Sequence, residues 1–272
     1  MTDVISAEAL ERAIRYPYAI PATHFRFDPA PADTVTAERA RIVRADVAHR
    51  DGETIFYDLA LELDGVSHHL PAVCPVISAG SNASPQQLHR KFHGRVHEPV
   101  YGLRCRLSDW VPAYSAHFSG YGAIAGCLQP WPGAQSQLFV TLLTPPALVR
   151  MHETETLGVH YRFTRLSGTA CLLDGEPLDF ALYYYECLHG VLMSAALSPI
   201  LMAAFEVGGC PLHCMSEEAV LRAAMRDLFP DLTLEAALAR IVASGDTRRE
   251  ATAQLKALRI AVDAAAIASQ AG

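Results

Sequence analysis

The chain has 272 residues, of which 51% are apolar and 19% charged, enough to bury a large core in one domain or two small ones. Its net charge of −7 excludes a general nucleic-acid binder, which neutralises phosphates with clustered Lys and Arg. No apolar run reaches the roughly eighteen residues of a membrane-spanning helix, so no membrane partner is expected.

The opening MTDVISAEALERAIR reads as a polar, helix-forming start rather than a leader with a charged end and an apolar middle. A cytoplasmic location with seven reduced cysteines is therefore expected. A Pro-rich aromatic segment follows, and then strands over about 39–48 and 53–63 joined at Asp51-Gly52, a strong hairpin signal. A turn at Asp64-Gly65 leads to a third strand from Val66 to Val76, in which Pro71 and Pro75 predict an edge or loop. Further on, Asp174-Gly175 marks another hairpin, and the apolar run 187–206 reads as a buried helix interrupted at Pro199. From Ser216, followed by Glu217 and Glu218, the pattern is helical. The final helix, about 247–268, carries Leu255, Leu258 and Val262 and suits a packing arm or a homodimer contact.

Two segments carry more than packing. VISAGSNASPQQLHRKF runs from a β-branched strand end into a helix, with Ser84 as N-cap, Pro85 at the first helical position and Gln87 completing a capping box. The Gly80-Ser81-Asn82 turn before it needs backbone freedom and gathers free N–H groups, which attract a carboxylate or phosphate. It is neither a P-loop nor a dinucleotide fingerprint, and a purely structural turn has the same pattern.

In LFVTLLTPPALVRMHETETLG, a buried strand over Leu138 to Leu143 is followed by a helix capped by Thr144 and led by Pro145. Leu148, Met151 and Glu155 fall at i, i+3 and i+7 and share one face, whereas Glu153 turns away. An apolar stripe that ends in a carboxylate places an acid against the core, an environment that suits general acid–base chemistry. A helix that frays before Glu155 would instead leave the side chain in water.

Other clusters read as structural. His89, His93 and His97 recur every four residues, but Gly94 ends the helix and leaves a surface row. Cys210, His213 and Cys214 lack the second ligand pair of a zinc site, so no metal is expected there. Cys74, Cys105 and Cys127 sit in apolar strands as inert thiols, and no nucleophile elbow is present.

The Ala79-Gly80-Ser81-Asn82 loop, the stretch RCRLSDWVPAYSAHFSGYGAIAGCLQPWPG over 104–133, and LFVTLLTPPALVRMHETE occur in this order. Together they resemble the γ-glutamylcyclotransferase family over roughly residues 73–170, with Pro132-Gly133 at the family's Pro-Gly turn. The resemblance implies an α+β fold built on a small mixed β-barrel with flanking helices. It divides the chain into an N-terminal extension of helix plus hairpin (1–72), a family-like core (73–190) and a helical C-terminal extension (191–272). It places the catalytic carboxylate on Glu155 and substrate-binding groups on Ala79, Gly80, Ser81, Asn82 and Ala83, with Tyr161 lining the pocket. The implied reaction cyclises a small γ-glutamyl amide to 5-oxoproline and releases an amine or amino acid, and it calls for neither metal nor organic cofactor. A non-catalytic binding or assembly protein on the same fold is the alternative, as is an amide-processing relative with another acyl substrate. Two departures stand out: Ala79 where the family has a tyrosine, and Thr156 where a glycine commonly follows the acid.

Overall fold

The structure, a computed structural model, describes residues 4–260. In chain order its elements begin with α1 (Ala7–Ile14), β1 (His24–Pro29), β2 (Ala32–Ala37), β3 (Ala40–Asp51), β4 (Thr54–Leu63), β5 (Val66–Ser78) and α2 (Pro85–Phe92). The middle of the chain forms β6 (Val100–Phe118), β7 (Ile124–Leu143), α3 (Pro145–Glu155), β8 (Tyr161–Leu166), β9 (Cys171–Leu173), β10 (Glu176–Pro177) and β11 (Leu182–Cys187). Four two-residue strands follow, β12 (Met193–Ser194), β13 (Leu201–Met202), β14 (Val207–Gly208) and β15 (Cys214–Met215). The described chain closes with α4 (Glu217–Leu228), α5 (Leu234–Ala243), α6 (Gly245–Leu255) and β16 (Arg259–Ile260). No helix among the described residues is long and apolar enough to cross a membrane.

The architecture is mixed α+β: one large, mostly antiparallel sheet of 14 strands carries the helices. Its central path runs β10-β9-β6-β7-β5-β11-β8, and the long β6/β7 hairpin is its spine. The turns Asp51-Gly52, Asp64-Gly65 and Asp174-Gly175 fall where the sequence places them, with Gly52, Asp64, Gly65, Asp174 and Gly175 in the left-handed region that Asp and Gly tolerate.

Four expectations need correction. First, β5 runs straight through Pro71 and Pro75. It does so by changing partners: Val66 to Val73 pair with β4, and Cys74 to Ser78 pair with β7. A bulge at Ala72 marks the change, and Asp58 Oδ1 accepts the Ala72 N–H at 2.9 Å in place of a ladder carbonyl. Second, 187–206 is not a helix; its apolar residues enter the core around two short strands, β12, which pairs with β16, and β13, which pairs with β6 and β15. Third, Pro132-Gly133 is not a hairpin turn but an irregularity within β7, where Asp109 Oδ1 accepts the Gly133 N–H at 2.7 Å. Fourth, the final helix stops at Leu255 and gives way to β16; Leu255 is fully buried and Leu258 packs against the same core. Val262 lies outside the described residues.

The extensions do not stand apart from the core. The N-terminal segment supplies two hairpins rather than one, and β1 pairs with β6 while β4 pairs with β5. On the C-terminal side, β13 and β14 add to β6 and β7.

Candidate active site

The geometry of β5, β7 and α3 brings Glu155 to the Gly80 loop. β7 lies antiparallel to β5, with Leu143 opposite Cys74 and Phe139 opposite Ser78. From Leu143 the chain turns at Thr144 into α3, which runs back toward the exit of β5. Eleven helical residues span about 16 Å, and the four steps from Cys74 to Ser78 about 13 Å. The last turn of α3 thus arrives level with the residues that follow Ser78. Leu148 and Met151 are buried on the inner face of α3, and Glu155, its side chain 12% exposed, continues that stripe. Glu153 faces outward and pairs with Arg150 at 2.8 Å.

Glu155 meets two partners. Asn82 Nδ2 donates to Glu155 Oε1 at 3.0 Å, and Lys91 Nζ donates to the same oxygen. Lys91 Nζ also donates to Asn82 Oδ1 at 2.7 Å, so carboxylate, amide and ammonium form a closed triangle. Lys91 lies on the last turn of α2 with its side chain 8% exposed and its Nζ 3.4 Å from Met151 Sδ. Charge-assisted bonds of this kind are what a buried acid and a buried base both require. Arg150 Nε ties the two helices by donating to the Lys91 carbonyl at 2.9 Å. Oε2 of Glu155 accepts no hydrogen bond among the described residues and is left for the cavity.

Gly80 is extended (φ −164°), so conformational freedom is not what it contributes. Space is: a Cβ there would stand 2.7 Å from the Tyr16 hydroxyl. Tyr16 comes from the N-terminal segment, and its hydroxyl accepts the Gly126 N–H at 2.7 Å, with the Ser81 N–H nearby. Burial pushes its phenol far up, the two N–H donors opposing only part of this. Its own O–H remains available to a ligand. Tyr161 donates to the Gly126 carbonyl at 2.8 Å, and burial raises its phenol well above the usual range. The expected capping box at α2 is not formed: Ser84 Oγ and Gln87 Oε1 are buried without partners, as is Thr144 Oγ1 before α3.

Of the anticipated site residues, Ala79, Gly80, Ser81, Asn82, Glu155 and Tyr161 line a narrow cavity of about 50 Å³ between the loop and Tyr184 and Tyr185. Ala83 does not; its methyl is buried in the core. Ser81, Glu155 and Tyr161 also face a larger cavity of about 450 Å³, bounded on its other sides by Tyr16, Tyr121, His117 and His160.

Lys91, Tyr16 and a histidine stack escaped the sequence reading. Lys91 follows Gln87 and Leu88 on the buried face of α2, so the helical spacing that exposes Glu155 would also have exposed it. His117 lies over His160 and His189 with ring centroids 4.9 and 4.5 Å away. His160 Nδ1 is 2.9 Å from His189 Nε2, and Ser115 Oγ is 2.6 Å from His117 Nδ1. Burial lowers all three histidines. Nearby cations add to this, the Lys256 ammonium beside His189, whose pKa falls to about 4, and the Arg248 guanidinium beside His160. Three separate elements supply these rings, and no local pattern links them.

A different cleft, of about 390 Å³, is lined by His24, Arg104, Arg106 and Asp174. There His24 is a strut: Nδ1 accepts the Arg104 N–H at 3.0 Å and Nε2 faces Asp174 Oδ1 at 3.2 Å. Among the described residues no group of three His, Cys, Asp or Glu is arranged to hold a metal ion, the Cys210–Cys214 segment included. Comparison of the chain with known protein families, curated proteins and solved structures returns no match.

Proposed function

We propose that the chain is a γ-glutamylcyclotransferase-like enzyme that converts a small γ-glutamyl amide to 5-oxoproline with release of an amine or amino acid. One observation carries the reading: the acid at the end of the α3 stripe faces the Gly80–Asn82 loop across a lined cavity. On this reading the core strands form a curled, barrel-like sheet of that family's type. The ring that Ala79 lacks is replaced by Tyr16, whose hydroxyl stands against Gly80.

The chemistry asks little of the protein beyond placement and one proton. Backbone N–H groups of the loop hold the α-carboxylate. Glu155 Oε2 takes a proton from the α-amine, and the amine nitrogen attacks the γ-carbonyl carbon of the same molecule. As the tetrahedral intermediate collapses, the amide C–N bond breaks and Glu155 returns the proton to the departing amine. Asn82 and Lys91 hold Oε1 and so aim Oε2 throughout.

The test is 5-oxoproline release from a panel of γ-glutamyl amides by wild type and Glu155→Gln. Loss of at least about a hundredfold in turnover is expected of the variant. Equal turnover in both would overturn the assignment of Glu155. The Lys91 ammonium favours a second reading, in which Glu155 is an ionic latch and the cavity binds a ligand without turning it over. Absence of turnover on every panel member by a folded protein would support that reading.

A further inference from the structure

The larger cavity has a feature that acid–base chemistry at Glu155 does not use. Arg12, Arg90, Lys91, Arg150 and Arg248 line it, and among the described residues Glu155 is the one acid in its walls. In a chain of net charge −7 this is a local concentration of positive charge. Two of the cations are already satisfied: Lys91 by Glu155, and Arg150 by Glu153 and the Lys91 carbonyl. Arg12, Arg90 and Arg248 pair with no carboxylate among the described residues.

These three guanidinium groups are held in place without acids. Arg12 Cζ lies 4.6 Å from the centre of the Tyr121 ring, and Arg90 Cζ 4.3 Å from that of Tyr18. Tyr18 and Tyr121 both lie beside Tyr16, with ring centroids 6.2 and 6.5 Å from it, so the two arginines stack on one aromatic cluster. Stacking on a ring face fixes a guanidinium plane and leaves its N–H edge free to bind. Arg248 reaches over from α6 and is anchored by one nitrogen, Nη1 donating to the Ile241 carbonyl at 3.0 Å. Its other donors are left for a ligand.

We infer that the mouth of this cavity is an anion-binding site in which Arg12, Arg90 and Arg248 hold a carboxylate or phosphate group. On the γ-glutamyl reading proposed above, on which this part rests, that group belongs to the amine half of the substrate. The γ-glutamyl half lies at Glu155 and the Gly80 loop, and the rest of the molecule extends toward the arginines. A neutral amine would leave three cations facing only water. A charged one makes bidentate, charge-assisted bonds, whose loss is typically a tenfold effect or more.

The experiment has two arms. In the first, 5-oxoproline release is compared for γ-glutamylalanine, γ-glutamylalaninamide, and γ-glutamylethanolamine with and without its phosphate. In wild type, kcat/KM should favour a charged member over its neutral counterpart by about tenfold or more. The ratio should shrink at high salt and approach one in Arg12→Gln/Arg90→Gln. Equal use of charged and neutral members in wild type would overturn the inference while leaving the γ-glutamyl reading intact. The second arm needs no turnover: inorganic phosphate and pyrophosphate are titrated calorimetrically into wild type, Arg12→Gln/Arg90→Gln and Arg248→Gln. Pyrophosphate binding that weakens about tenfold or more in the arginine variants supports the site even if no amide is turned over. No binding of either anion, or binding unaltered in the variants, overturns it. Which of the carboxylate and phosphate substrates shows the larger ratio identifies the source of the charge.

Discussion

Glu155 accepts both of its hydrogen bonds on one oxygen, one from the Asn82 amide and one from the Lys91 ammonium, which also holds that amide. Replacing Lys91 therefore does two things: it leaves a carboxylate largely out of water without its counter-charge, and it frees Asn82 to rotate. Breaking such a pair from one side costs about 3–5 kcal/mol, and Lys91→Met should lose stability of that order in urea unfolding. Lys91→Met/Glu155→Gln, which removes both charges, should recover part of the loss; a double variant no more stable than the single would refute the pairing. The site was half legible at this scale. The i, i+3, i+7 rule finds Glu155, and it would have found Lys91, one of only two lysines in the chain, on the buried face of α2. Tyr16 was beyond reach, since nothing local connects it with a loop sixty-four residues later.

At the scale of elements, α3 shows how a sequence exception is absorbed. Thr156 closes the helix in the left-handed region (φ 52°, ψ 61°), a conformation that is uncomfortable for a β-branched residue. Thr156→Gly should stabilise the protein by about 0.5–1 kcal/mol, since the relief of strain exceeds the added freedom of the unfolded chain. An unchanged or lowered midpoint in thermal unfolding would show that the threonine side chain contributes more than its backbone costs. Elements defined by their own turn chemistry were readable: the hairpin at Asp51-Gly52, α2 after Pro85, and α3 after Pro145. The 187–206 segment was not, because an unbroken apolar run has no period to separate helix from strand, and its pairing partners lie on β6. β5 was underrated for a related reason: prolines forbid a ladder only where the ladder needs their N–H, and a strand that changes partners has positions where it does not.

Across the whole molecule, the three stacked histidines make stability depend on acid. His189 titrates near 6.5 when unfolded and near 4 when folded, so the unfolded chain binds the proton first. Stability is at its full value above pH 6.5 and falls as the pH drops toward 4. His117, buried against the other two rings, acts in the same direction. Chemical denaturation of wild type and His189→Gln across this window should show a shallower decline in the variant; parallel curves would mean that the stack does not sense protons.

The larger cavity takes its walls from Arg12 near one end of the described chain, from Ser81 and Glu155 in the middle, and from Arg248 close to the other end. Contacts that distant in sequence close slowly, and only after the nearer hairpins have formed. A chain folded as far as α3 already holds Asn82, Lys91 and Glu155, yet it lacks the Arg248 wall. An anion site of the kind inferred above would therefore be complete only when folding is nearly so. A bound anion would act as a late lock, drawing the last helices down onto a sheet already formed and slowing their release.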